Sequence, residues 1–371
     1  MELNKETILL QSEFRKFAKE IIAPKVDEIE KKAEVPKDFI KKLTDMGMLG
    51  ALVPESCGGA ALDTLGTVVA LEEISKACPS TALILAVHNV CFAYPVVLFG
   101  TDEQKKKYLP KACGGEIVGG FAEVATNELI TNAGDASSMM TISGKNPLLL
   151  NGELNGPFLA VVPTADKTSV NAVIIDIAPS VASGGITITK NNSVIGMKAA
   201  GIASIAFNNL RVEKNSLLGN EAGGTAVLAE ITNLSRIFFS AIALGIAQAA
   251  LDNAAKYSKE RVQFGEPIAH FGMVREMLSD MATRIETMRL LIYDAALCRD
   301  GKKEFHKTAA MAHLVASHDV ADITTSAIQV YGGYGYMKDY PVERYFRDAQ
   351  VIRVLCATSM ADKELIAAKI I

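Results

Sequence analysis

Residues 328–350, IQVYGGYGYMKDYPVERYFRDAQ, decide how the rest of this 371-residue chain is read. The YGGYG group suggests a dinucleotide turn at first sight. It follows a helical run, however, and lacks the G-x-G-x-x-G spacing that opens the helix of a nucleotide-binding βαβ unit. A Rossmann reading therefore fails. Upstream, residues 258–271, SKERVQFGEPIAHF, end another long helical run with Arg-x-x-Phe-Gly. Taken alone, Arg261 is a solvated charge at a helix end.

Working outward, the composition is that of a folded globular chain, with 22% charged and 49% apolar residues. At this length two or three domains are expected. The net charge of −4 gives no electrostatic reason to bind nucleic acid, which is held chiefly through basic phosphate contacts. Mean hydropathy is +0.21, and residues 237–255, IFFSAIALGIAQAALDNAA, form the most apolar helical run. Ser240, Gly245, Gln248 and Asp252 interrupt it, so a buried bundle helix is predicted rather than a membrane span. The start, MELNKETILLQSEF, lacks a basic region followed by an apolar one, and a cytoplasmic location is expected. Six scattered cysteines without a Cys-x-x-Cys pair fit a reducing compartment and predict no metal site. Metalloprotease, P-loop and nucleophile-elbow motifs are missing. His313 and His318 fall on different faces of one helix and read as unrelated.

Hydrophobic periodicity divides the chain into three. Residues 1–115 alternate apolar and polar positions at helical spacing, with breaks at Pro24 and Cys78–Pro79 and an N-cap at Thr101. Residues 116–218 hold short β-branched runs, FLAVVPT, NAVIIDI, GITITK and IASIAFNNLRV, separated by Gly, Asn, Pro and Ser. Residues 219–371 return to long helices, predicted at 226–260, 268–300, 305–331 and 341–370. The expected fold is thus α+β: a helical N-terminal domain, a small central β-barrel or sandwich, and a C-terminal four-helix bundle.

Arg-x-x-Phe-Gly, then Gln-x-x-Gly-Gly-x-Gly-Tyr, then Glu-Arg-x-x-Arg-Asp-Ala, in this order behind a helical third and a β third, resembles the acyl-CoA dehydrogenase family along essentially the whole chain. The resemblance implies an FAD cofactor, an acyl-CoA substrate, electron transfer to an electron-transfer flavoprotein and a homo- or hetero-tetramer. It implies that Arg261 and Phe264 reach the FAD of a neighbouring subunit, the planar guanidinium serving the pyrophosphate. Gln329, Gly332 and Gly333 would take the adenine half of that FAD. Thr358 would close over that same FAD, and Arg236 would lie near the acyl-CoA.

The chain departs from the family where the chemistry is done. α,β-Dehydrogenation requires a carboxylate base at the acyl α-proton. The family's two positions for that glutamate are held here by Cys356 and Ser235. A thiol in an apolar pocket is a poor base because burial raises its pKa. Cys356 is accordingly read as a packing residue, which leaves the catalytic base unassigned; Glu123 and Glu128 are candidates. The segment FAEVATNELITNAGDASSM is longer than its family counterpart, and LNGELNGPFLAVVPT lacks the expected flavin-facing motif in a chain with no tryptophan. Features serving another subunit's FAD survive while those serving the chain's own flavin are altered. Two readings follow: a dehydrogenase with an unusual base, or a non-catalytic partner subunit completing a sibling's FAD site.

Overall fold

The computed structural model describes residues 3–123, 130–133, 139–164, 168–355 and 357–371. Helix α1 (Lys5–Phe17) is capped by Asn4, whose Oδ1 accepts the Thr7 N–H at 2.8 Å. It passes through a π turn and a 3-10 turn containing Pro24 into α2 (Val26–Lys32), so the proline kinks the run. Helices α3 (Lys37–Asp45) and α4 (Thr64–Ala77) follow; Pro79 then opens α5 (Pro79–Ala86), where a proline costs no hydrogen bond. A π-helical stretch, Val87–Ala93, leads into α6 (Tyr94–Phe99). A capping box between Thr101 and Gln104 starts α7 (Asp102–Cys113), as predicted.

Two sheets form the middle of the chain. β1 (Gly120–Glu123) lies parallel to β4 (Phe158–Pro163), which pairs antiparallel with β5 (Val170–Ile175). β2 (Ile130–Ala133), β3 (Met139–Leu149), β7 (Ala203–Glu213) and β6 (Ile186–Lys190) make an antiparallel sheet in that order; the short helix α8 (Ile177–Ala182) precedes β6. The sheets share a core of their own, including Ile142, Phe158, Val173, Ile205 and Phe207. Phe158 and Phe207 meet across it at 6.4 Å between ring centroids. Burying each such side chain is worth roughly 2 kcal/mol.

Helix α9 (Gly224–Glu260) is the axis of the C-terminal region and is buried through its middle. The long helices α10 (Gly272–Asp300) and α11 (His306–Tyr331) pack beside it. A fourth helix over 341–370 was expected; the structure has two, α12 (Val342–Ile352) and α13 (Ser359–Ala368). No glycine or proline marks this break in the sequence. Thr358 does, by capping α13 with its hydroxyl accepting the Ala361 N–H at 3.2 Å. α4 crosses α9 closely at Gly245, where a Cβ would stand 2.5 Å from the Glu72 carbonyl oxygen.

The run Pro79–Phe99 and helix α9 are long and apolar enough to cross a membrane, yet 78% and 89% of their most apolar windows are buried inside the protein. Their apolarity is that of core helices. α12 latches the sheet region to the bundle. The buried Asp348 accepts the Met197 N–H at 2.5 Å, and Arg347 pairs with Glu30 of α2 at 2.8 Å. Burial pushes the Asp348 carboxyl up to about 7 against that hydrogen bond. The Arg-Asp-Ala motif thus has a structural task, holding three parts of the chain together.

Candidate functional site

The first half of α9 and the loop between α12 and α13 face each other across a cavity of about 570 Å³. Ile231, Thr232, Ser235 and Phe239 line it from α9; Arg353, Val354, Leu355, Ala357, Thr358 and Ser359 line it from the loop and the start of α13. The broken fourth helix is what makes room for it. Phe121 of β1, residues 146–148 and Leu150 close the sheet side. The sheet's contribution thus stops at Leu150, the first residue of the LNGELNGPF segment. There Asn151 instead ties the sheets to the helices, donating from Nδ2 to the carbonyls of Ile84 and Gly119.

Ser235 is buried, with its Oγ 3.8 Å from the Sγ of Cys91. Cys356 and Glu128 lie outside the described residues, although the neighbours of Cys356, Leu355 and Ala357, both line the cavity. The backbone of Glu123 ends β1. Among the described lining residues there is no carboxylate. The described lining residues supply apolar surface, hydroxyls, the Asn146 amide, the Cys91 thiol and the Arg353 guanidinium, which donates to Gln350 Oε1 at 3.1 Å.

Cys91 sits on the π-helical stretch, fixed in place by His88 and Asn89. His88 Nδ1 accepts the Gly119 N–H at 2.8 Å, so its proton is on Nε2, 2.8 Å from the Leu49 carbonyl. Burial pushes the His88 pKa down to about 4, the Leu49 bond opposing only part of this. Asn89 donates to the carbonyls of Met48 and Leu85. The wall behind Cys91 is therefore rigid and uncharged.

Arg236 follows Ser235 but is absent from the cavity lining. Its Nε donates to Asp362 Oδ1 at 2.8 Å and its Nη1 to Asn233 Oδ1 at 2.6 Å. Asp362 Oδ2 takes His313 Nδ1 at 2.7 Å. Burial pushes the Asp362 carboxyl up, but its bonds to His313 and Arg236 outweigh this and hold it below the ordinary range. His313 and His318 do point apart, yet both reach α13, His318 through Ser359 at 3.1 Å.

The other predicted residues meet elsewhere. Arg261, Gln329, Gly332 and Gly333 line a surface cavity of about 490 Å³ at the C-terminal end of α9, together with Tyr257, Tyr331 and Tyr334. Tyr257 and Tyr331 stack at 4.0 Å, and the Arg261 guanidinium lies 5.4 Å over the Tyr334 ring. No carboxylate pairs with Arg261 among the described residues. Gly332 has φ +61°, and a Cβ on it or on Gly333 would meet nothing within 4 Å. The floor is open to a close ligand, and an unpaired guanidinium over it suits a phosphate. Phe264, 97% exposed at φ +51°, stands at the tip of the β8–β9 hairpin (Val262–Gln263, Glu266–Pro267) outside the cavity. From Ser235 to Tyr257 α9 rises about 33 Å at ~1.5 Å per residue. Thr358, at the first cavity, is thus far from the other predicted cofactor residues.

Comparison with known proteins agrees with this architecture. The family model for the acyl-CoA dehydrogenase N-terminal domain matches residues 4–116, and that for the C-terminal domain matches residues 222–371. The chain is 36% identical to an acyl-CoA dehydrogenase of Bacillus subtilis (strain 168), covering 99% of this chain and 98% of the relative. Its fold matches butyryl-CoA dehydrogenase from Megasphaera elsdenii with a TM-score of 0.93 at 29% identity, covering 100% of this chain and 99% of that one. A chain in the structure of the electron transferring flavoprotein of Acidaminococcus fermentans matches equally, with a TM-score of 0.93 at 32% identity, covering 100% and 99%. The chain belongs to the acyl-CoA dehydrogenase family. Members of that family are FAD-dependent flavoprotein oxidoreductases acting on CoA thioesters, and they are typically tetramers.

Reasoning from sequence did not find Cys91, Asn146, Leu148 or Asp362. The first three lie on a π turn and on a strand carrying both Gly144 and Pro147, where no simple period survives. Asp362 reads in sequence as one more charge on an exposed helix.

Proposed function

We propose that the chain is an FAD-dependent acyl-CoA dehydrogenase-type oxidoreductase, removing hydrogen across Cα–Cβ of an acyl-CoA thioester and passing electrons to an electron-transfer flavoprotein. The observation behind this reading is the pair of cavities on one helix. The cavity between α9 and the α12–α13 loop has the size and the apolar lining of a small-molecule site. Leu148, Leu150, Ile231, Phe239 and Leu355 suit an uncharged acyl chain. The open cavity offers a guanidinium and a glycine floor to the pyrophosphate and adenine of an FAD. About 33 Å of helix separates the two. The separation supports a cofactor shared between subunits, each chain closing over its own FAD with Thr358 and lending Arg261, Phe264, Gln329, Gly332 and Gly333 to a neighbour's.

When bound, the flavin would supply the hydride acceptor. This chain's part is to orient the thioester, exclude water and remove the α-proton. Ser235 is not a base at neutral pH, and a cysteine thiol at 356 is a poor one. The proton would go to a carboxylate at the end of β1 or in the segment after it, Glu123 or Glu128. Anaerobic mixing of the purified protein with a panel of acyl-CoAs tests the reading: bleaching of the flavin with one of them is expected, and a flavin-free protein overturns it. The same visible spectrum tests the partner-subunit reading, which requires little flavin in the protein alone and full loading on co-expression with a sibling.

A further inference from the structure

α13 is an unusual helix to find in a site wall. Only ten residues long, it is too short to be stable by itself. A surface helix ordinarily docks through an apolar stripe. In α13 the one buried residue is Asp362, which is 0% exposed; Met360 is 65% exposed, and Leu365 and Ile366 are only half-buried. The helix therefore has little hydrophobic purchase on the bundle. Its carboxylate reaches Arg236 of α9 at 2.8 Å and His313 of α11 at 2.7 Å, joining three helices behind the acyl cavity. None of the three side chains lines that cavity, but each is attached to its wall. Arg236 follows Ser235, and Asp362 lies within one turn of Thr358 and Ser359. The loop before α13 is held at its front by two backbone hydrogen bonds, Val354 N–H to Val351 and Leu355 N–H to Ile352, and at its back by the Thr358 cap. The back is only as fixed as α13 itself.

We infer that Asp362 is the positioning residue of the acyl-thioester cavity: shared between Arg236 and His313, it pegs α13 and so sets the place of the wall over residues 353–355 and 357–359. The inference rests on the reading of that cavity given above. The geometry also defines what can replace each partner. His313 donates through Nδ1, while its Nε2 has no hydrogen-bond partner among the described residues. A donor at the Nδ1 position alone should therefore suffice.

The chain contains no tryptophan, which makes the loop directly observable. Val354→Trp, at a side chain 78% exposed, installs a single reporter whose anisotropy and acrylamide quenching follow the wall. In this background Asp362→Asn, which sets an amide donor against two donors, should lower the anisotropy and raise quenching about twofold. His313→Leu should do the same. His313→Asn, whose amide nitrogen takes the place of Nδ1, should stay near the parent. In the flavin-loaded chain without the reporter, Asp362→Asn and His313→Leu should weaken binding of an S-alkyl-CoA thioether by on the order of tenfold or more, as displacing a site wall does; His313→Asn should restore it. A fall in thermal midpoint with reporter and thioether affinity both unmoved would overturn the inference, leaving Asp362 a stability residue only. Equal loss in His313→Asn and His313→Leu would overturn it too. Should Asp362→Asn fail to fold, the His313 pair decides alone, since it leaves the Arg236–Asp362 contact in place. A reporter that shifts as expected in a protein that binds no thioether supports the anchoring and overturns the reading of the cavity.

Discussion

Acid should loosen the wall behind Cys91, and His88 is the group through which it acts. In the fold its ring is neutral, accepting from Gly119 and donating to Leu49. A second proton would have to enter at Nδ1, breaking the Gly119 bond and burying a charge. The folded pKa is accordingly depressed from 6.5 to about 4. Because it is the neutral form that the fold favours, the contribution is fully present above pH ~6.5 and is lost as pH falls toward ~4. At about 1.4 kcal/mol per pKa unit the whole loss is roughly 3 kcal/mol, and by pH ~5 roughly 2 kcal/mol of it has gone. That is a substantial part of an ordinary domain's ~5–15 kcal/mol. Urea unfolding followed by circular dichroism near pH 7.5 and near pH 5, on the parent and on His88→Gln, isolates this contribution from that of the carboxylates. The variant should start about 1 kcal/mol weaker at the higher pH, having lost one of two buried hydrogen bonds. It should then lose roughly 2 kcal/mol less than the parent on acidification. Parallel pH dependence in the two proteins would refute the argument.

Three further outcomes are expected. Arg261→Ala should lower flavin content after gel filtration well below that of Cys356→Ala, since the first removes a phosphate partner from an open cavity and the second only a small side chain; equal flavin in the two would count against the cavity's assignment. Cys356→Glu places a carboxylate at a position that the family resemblance reads as the base's, and general-base catalysis is worth roughly 10²–10⁴-fold. Little or no gain in α,β-dehydrogenation is expected from the lone protein because the flavin-facing segments differ from the family pattern, so a large gain with flavin bound would mean that only the base was lost. Gly245→Val should lower stability by at least about 2 kcal/mol, since a Cβ there already meets the Glu72 carbonyl at 2.5 Å. Gly272→Ala at the start of α10, where nothing lies within 4 Å, should be neutral in the same thermal melt.

The elements that sequence reasoning found are those with local causes. Cys78–Pro79 separates α4 from α5 because proline suits a first turn and not a helix interior, and Thr101 with Gln104 caps α7 without outside help. The convergence of Arg261, Gln329, Gly332 and Gly333 on one cavity was legible only through the family motif, since periodicity gives no reason for α9 and α11 to end together. What was missed has nonlocal causes. β3 contains Gly144 and Pro147 and owes its eleven residues to pairing with β7. The break between α12 and α13 has no breaker residue, and the peg that fixes α13 needs Arg236 and His313 from helices far away in the chain. His88 looks like any histidine in an apolar run until Leu49 and Gly119 are brought to its two nitrogens.

The distance along α9 between the two cavities has a genetic consequence. On the shared-cofactor reading, no chain closes a whole site with its own residues. Each lends the Arg261 end to a neighbour and keeps the Ser235 end for itself. Two differently crippled alleles, one spoiled at Arg261 and one spoiled at Ser235, would each be inert when assembled alone. Mixed in one assembly, they would rebuild one sound site from the undamaged end of each chain. Such interallelic rescue depends on the rigidity of a single helix and needs no further contact between the two lesions.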